Sequence, residues 1–286
     1  MRNNEERFGA NTIRQDADVP QQFQQESSIN TAAPLNFIVP TEFVSLPSKG
    51  QFYPTNHPLH GKESVEIKQM TAKEEDILSS RNLLKKGVAL DKLIQSLVVD
   101  KNINTDSITI EDRNSIIVCA RISAYGAEYL TTVTCPSCNT KSKHKFDLSE
   151  KLEAVDELPY VASLESNGLF SITLPATKWV VKCRALNGYD EKHIMRLTEV
   201  KKNSSDGDSL LLEQLKMTVV SINNVDDKAQ IAEALSVLPA KDAKYLRSTY
   251  QNTVKGIDMR QRFSCNSCDF QTEMEVPLTA DFFWFK

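Results

Sequence analysis

Several things are missing from this 286-residue chain. No stretch approaches the roughly 20 consecutive apolar residues that a membrane span needs, which argues against a transmembrane protein. Residues 1–10 are polar and charged and lack the apolar segment of a secretory signal, so the expected compartment is the cytoplasm. There is no glycine-rich phosphate loop and no nucleophile elbow, the signatures of nucleotide and α/β-hydrolase chemistry. No self-similarity recurs at solenoid periods. Charge of one sign is also lacking: 34 Lys and Arg stand against 38 Asp and Glu, a formal net charge of −4. That balance provides no bulk attraction to nucleic acid or to an anionic membrane.

What is present is ordinary for a soluble globular protein, with 40% hydrophobic and 25% charged residues. The length allows one large domain or two smaller ones with a sizeable core. Residues 1–36 differ. They are rich in Asn, Gln, Asp and Glu, with Gln21, Gln22, Gln24 and Gln25 almost together, and their apolar residues follow no period. This arm is expected to be disordered in the free protein.

A loop, a short strand and a helical region are expected over residues 37–126. Pro40, Pro47, Gly50, Pro54, Pro58 and Gly61 impose turns and extended segments. Val65 and Ile67 alternate along a strand over residues 64–68. Thr71 with Glu74 three residues on forms a capping box for a helix that Gly87 stops. Further helices are expected over about 90–99 and from near Thr109 to Gly126. Two strand-like segments flank Cys135 and Cys138 within residues 127–150. Residues 151–259 read as a β-hairpin, alternating at 170–174 and 179–183, then helices near 190–201, 210–220, 231–238 and 241–255, with a polar linker at 202–208. Residues 260–286 repeat the earlier layout around Cys265 and Cys268. The fold class is therefore α+β: a mainly helical body, two β-hairpins of a split zinc ribbon, and an inserted β-hairpin with helices.

The sharp constellation is Cys135, Cys138, Cys265 and Cys268. A reducing cytoplasm keeps cysteines as thiols or metal ligands. Each Cys-x-x-Cys turn can place two sulfurs on one side of a tetrahedron, and two turns close it around structural zinc. Some 126 residues separate Cys138 from Cys265, where free-standing ribbons have about 15–20. A domain inserted between the hairpins explains the gap, provided that its ends lie close together. Four thiolates leave no open position for water, so the zinc would be structural. A redox dithiol is the competing reading, but such motifs open a helix, and here strands flank both sides. The pairs could also bind separately or not at all, and His144 could substitute as a ligand.

Other candidates weigh less. Cys119 and Cys183 sit on apolar faces and read as core residues. His57 and His60 straddle Pro58 and read as solvated loop residues. His193 has no triad partner. The pairs Glu74-Glu75 and Asp226-Asp227 read as solvated helix faces or caps. Lys141, Lys143 and Lys145 form one modest basic strand, which Asp269, Glu273 and Glu275 on the other hairpin answer with acid; a nucleic-acid-binding ribbon is therefore the lesser alternative. Phe52 and Tyr53, large apolar groups in a Pro/Gly-bounded loop, are expected at the surface as partner-binding anchors, with a role pinning the loop to the core as the alternative.

In order along the chain stand Leu46-Pro47-Ser48-Lys49-Gly50 with Tyr53-Pro54, Met70-Thr71-Ala72-Lys73-Glu74-Glu75-Asp76-Ile77-Leu78, Leu90-Asp91-Lys92-Leu93-Ile94, Asp112-Arg113-Asn114, Ala120-Arg121-Ile122 with Tyr125-Gly126, and the cysteine pairs. From residue 37 onward this series resembles the T4-type phage baseplate hub assembly chaperone or hub subunit family. The resemblance implies a non-enzymatic role in building the hub of a contractile tail, through contacts with baseplate hub proteins in the infected bacterial cell. It implies no small-molecule substrate, no membrane and no catalytic residues, and it leaves open whether the protein stays in the virion baseplate.

Overall fold

The computed structural model describes residues 38–149, 163–202, 210–276 and 280–283. The expected N-terminal arm lies outside them, as does the polar linker past Lys202. The fold is α+β, with eight α-helices and ten strands, all paired antiparallel, among the described residues.

Strand β1 (Thr41–Ser45) pairs with β2 (Ser64–Lys68), Val44 facing Val65. The prolines around it suggested only loop, so β1 is an addition to the sequence reading. Helix α1 (Ala72–Ser79) starts at the capping box: the Glu74 carboxylate accepts from the Thr71 amide at 2.9 Å and its hydroxyl at 2.6 Å. Glu74 is buried, not solvated, and also accepts from Ser96 and Lys68. The single helix expected up to Gly87 is broken at Ser80, whose ψ of 106° is extended, and resumes as α2 (Arg81–Lys85). Then come α3 (Ala89–Leu97) and α4 (Ile110–Tyr125), which Gly126 ends with a φ of +82°.

Strands β3 (Glu128–Thr134) and β4 (Lys141–Asp147) form one hairpin, and β9 (Arg260–Ser264) and β10 (Gln271–Glu275) form another. Between them in sequence, β5 (Ser163–Leu164), β6 (Leu169–Thr173), β7 (Val180–Arg184) and β8 (Val219–Ile222) make a four-stranded sheet in that order. The expected β6–β7 hairpin is its centre. Helix α5 (Gly188–Lys202) and α6 (Leu210–Thr218) precede β8. The helix expected through Val220 stops at Thr218, where the β-branched run Thr218-Val219-Val220 favours a strand against β7. Helices α7 (Lys228–Ser236), capped by Asp227 on the Gln230 amide at 2.9 Å, and α8 (Ala240–Thr253) follow.

Apolar burial falls into two clusters. One draws on β1, β2, α1, α3 and α4 and on both cysteine hairpins, with Ile67, Leu93, Ile116, Phe146 and Phe263 inside it. The other is built on the four-stranded sheet and α6 to α8, with Phe170, Val181, Leu235 and Leu246 inside. Buried Arg121 links α4, the first hairpin and the C-terminal turn Ala280–Phe283: its guanidinium donates to the carbonyls of Gly126 (2.8 Å), Glu128 (3.1 Å) and Phe282 (3.0 Å). Three charge-assisted bonds offset the cost of burying its charge.

Candidate metal centre

The two cysteine turns are copies of one another. The Asn139 amide donates to the Cys135 carbonyl at 2.9 Å, and the Asp269 amide to the Cys265 carbonyl at 3.2 Å. Cys135 and Cys265 donate in turn to the carbonyls of Thr140 (3.0 Å) and Phe270 (2.9 Å). Asn139 and Asp269 take φ of 56° and 53°, the left-handed region that Asn and Asp tolerate best among side-chain-bearing residues. Each turn thus folds its two sulfurs toward one side. In each, the first cysteine is buried and the second exposed.

The hairpins bring all four Sγ atoms within 4.8 Å of one another. Across the hairpins, Cys135 and Cys268 are 3.8 Å apart and Cys138 and Cys265 3.7 Å. Thiolates at the corners of a tetrahedron, each about 2.3 Å from a central zinc, stand about 3.8 Å apart. The sulfur spacing therefore fits a four-thiolate metal site. Below the cluster, the hairpins share an apolar interior of Tyr129, Val133, Phe146 and Phe263. At their far end the Asp147 amide donates to Gln261 Oε1 at 3.0 Å.

The thiols are electrically unequal. Hydrogen bonds from Thr140, chiefly, and from neighbouring thiols bring Cys138 down to about 6. The Phe270 amide lowers Cys268, but interactions with the three other cysteines and burial outweigh it and push it up to about 12. The two exposed thiols are thus shifted in opposite directions, and a bound cation would favour the thiolate form of both.

His144 does not join the cluster. Its ring packs edge-on against Phe146 and Phe263, with centroids 4.6 and 5.3 Å away. No other cluster of three or more metal-ligating side chains occurs among the described residues. Burial pushes Cys119 up to about 11 and Cys183 up to about 12, which makes both poor nucleophiles. A groove of about 550 Å³ includes Phe43, Lys49, Glu63, Cys119 and Ile257 in its lining and none of the four clustered cysteines.

The aromatic loop is placed differently from the expectation. Phe52 is 8% exposed and Tyr53 2%, so neither ring is a surface anchor. Phe52 enters the sheet cluster, 5.8 Å from Phe170, while Tyr53 enters the helical one. Tyr53 donates to the Asp112 carboxylate at 2.6 Å and accepts from the Thr109 amide at 3.1 Å. Asp112, fully buried, also accepts from the Ser48 amide (3.0 Å) and hydroxyl (2.6 Å). Burial pushes the Asp112 carboxyl up, opposed by bonds from Ser48 and Tyr53. Glycine is needed at two places: at Gly50 (φ +71°) a Cβ would come 2.3 Å from the Lys62 amide, and at Gly168 (φ +81°) 2.6 Å from the Phe52 carbonyl. His57 and His60 serve this loop too. His57 stacks on Tyr53 at 4.5 Å with its Nε2 2.7 Å from Ser107 Oγ, and His60 Nδ1 lies 2.7 Å from the Tyr53 carbonyl. His57 is half-buried, which lowers its pKa, and so is not the solvated residue expected. His193 is exposed on α5.

Residues 41–169, a little under half the chain, match the family model described as T4 bacteriophage base plate protein. The match supports a T4-type baseplate family. It takes in the aromatic loop and the first cysteine pair and stops short of the second. Neither the curated proteins nor the solved structures yield a match. No helix among the described residues is long and apolar enough to cross a membrane.

Proposed function

We propose that this chain is a non-enzymatic baseplate protein of a T4-type contractile phage tail. It assists assembly of the central hub, or forms part of it, through contacts with hub proteins. It acts in the cytoplasm of the infected bacterium and, if retained, in the virion baseplate. The observation that carries this reading is the match of residues 41–169 to the base plate model.

In the same reading Cys135, Cys138, Cys265 and Cys268 hold one structural zinc. Sulfur spacing of 3.7–3.8 Å supports it. Zinc supplies a closed cross-link there: four thiolates leave no position for water. Residues 127–150 and 260–286 carry the two ribbon hairpins, and residues 151–259 are the insert, an assignment that the separate apolar cluster of the four-stranded sheet supports.

Affinity capture of the tagged protein from infected cells tests the role. Hub proteins should copurify; a folded, zinc-loaded protein that brings down none of them overturns the reading. Mass spectrometry of purified virions then separates permanent component from assembly factor. Elemental analysis should give one zinc per chain, and X-ray absorption should show sulfur ligands alone.

A further inference from the structure

The two cysteine hairpins share a plan but not a charge. On the outer face of β3–β4, Leu130 stands opposite Lys145, Thr132 opposite Lys143 and Thr134 opposite Lys141, and all six are exposed. Lys145 pairs with Glu128 at the foot of the hairpin. Lys141 and Lys143 have no acid opposite them in the register. On β9–β10, Arg262 stands opposite Glu273 and Arg260 opposite Glu275. Of the three acids that the sequence sets against the lysine strand, Glu273 and Glu275 therefore stand opposite arginines of their own hairpin, while Asp269 lies in its turn.

We propose that the lysine face of β4 docks an acidic, extended segment of a partner protein. The inference rests on reading this chain as a protein-contact module and names the chemistry of one contact. Alternate side chains on a strand repeat about every 6.8 Å. A partner segment lying along β4 with Asp or Glu at every second position presents carboxylates at the same repeat as Lys141, Lys143 and Lys145. Leu130, 40% exposed beside Lys145, adds an apolar contact at one end.

Nucleic acid would also be drawn to lysines, but this face fits it less well. It offers no aromatic ring on which a base could stack. The net charge of −4 gives no long-range attraction for a polyanion, whereas a short acidic peptide needs only the local stripe.

Fluorescence anisotropy on the full-length, zinc-loaded protein tests the docking face, with a labelled 12-residue peptide alternating Glu and Thr and a labelled 12-nucleotide oligothymidylate as probes. The peptide should bind at low salt. The combined variant Lys141→Gln, Lys143→Gln, Lys145→Gln should weaken it about tenfold or more, and Lys143→Glu alone at least about threefold, since exposed ion pairs are individually weak but summed here. Arg260→Gln with Arg262→Gln should leave binding within about twofold, because those arginines lie on the other hairpin and stand opposite its own glutamates. Zinc content should stay at the wild-type level in all three variants. No peptide binding, or binding that the lysine variants leave intact, overturns the proposal. Tighter binding of the oligonucleotide, lost in the same variants, overturns it in favour of a nucleic-acid face. Hub proteins that still copurify with the wild type while the peptide fails to bind would remove the docking face alone and leave the baseplate reading standing.

Discussion

Two joints hold distant parts of this chain together, and they work by different means. At the cysteine joint, sulfurs from positions 135 to 268 converge within 4.8 Å, and the residues between them are free to form another structure. At the loop of residues 46–54, two neighbours in sequence part company: Phe52 goes into the sheet cluster and Tyr53 into the helical one. With a metal bound as proposed, the first joint would concentrate its strength in a few metal bonds and be all-or-none. The second spreads it over ring area and one buried carboxylate, so it should weaken by degrees. Chain distance predicts neither: residues over a hundred positions apart serve one point, while adjacent residues serve two bodies.

The sharpest way to break the comparison is at the sulfur cluster. Cys265→Ser removes one of four ligands, and the zinc content should fall below about half an equivalent per chain. In small zinc peptides the metal contributes on the order of 10–16 kcal/mol to folding. With an apolar interior beneath the site, a part of that, about 5 kcal/mol or more, is the expected loss here. Calorimetry should show it as one lowered transition across the whole chain, because the ligand pair closes a long loop. Chelation of the wild type should reproduce the effect. Cys119→Ser, at a half-buried thiol outside the cluster, should keep full zinc; equal metal loss in both variants would remove the ligand assignment.

Damage to the aromatic joint should be graded and should leave the metal in place. Phe52→Ala empties a nearly enclosed site against Phe170, and truncations of this kind cost about 3–5 kcal/mol. Tyr53→Phe keeps the ring and deletes the hydroxyl that bridges Asp112 and the Thr109 amide. Leaving a buried carboxylate short of a donor costs about 1–3 kcal/mol. Urea unfolding with zinc assays on the same samples checks both. Zinc lost along with stability in Phe52→Ala would show that the joints are one cooperative unit.

The two joints were unequally legible in the sequence. Cys-x-x-Cys between strand-like flanks states its geometry locally, because a turn of four residues fixes where two sulfurs go; only the convergence of the pairs needed the fold. The α+β class and most elements were readable for the same reason, with Val65 and Ile67 alternating and Thr71 and Glu74 capping. Burial of Phe52 and Tyr53 was not readable. A Pro/Gly-rich loop gives no period, and what draws Tyr53 inside is Asp112, 59 positions away. Nor could the lysine strand be judged from charge counts, since only the register shows that Glu273 and Glu275 face arginines instead. Strand β8 was hidden behind a helical pattern that ran into Val219 and Val220, and pairing with β7 decided it.

The smallest effect is expected at Glu111, near the start of α4, where titration acts against the packing of this helix on its neighbours. Its Oε2 is enclosed and has no hydrogen-bond partner among the described residues. Gly256 packs against it, since a Cβ there would come 3.1 Å from Glu111 Cγ. Burial, with the nearby charges of Asp112 and Glu191, raises the Glu111 carboxyl to about 7, against the backbone hydrogen bond that lowers it. A carboxyl raised in the folded state is most favourable when protonated. Its stabilising contribution is complete below the ordinary glutamate range near 4.5 and is lost as pH rises through about 7. Glu111→Gln keeps the shape and removes the titration. The variant should therefore be more stable than the wild type at pH 8, by about 1–2 kcal/mol, with the gap closing toward pH 5. Paired urea titrations at the two pH values cancel every other titrating group common to both proteins. A gap that does not change with pH, or that widens toward pH 5, would show that Glu111 is ionised and satisfied in the fold, and that α4 packs on its neighbours without any cost from this carboxylate.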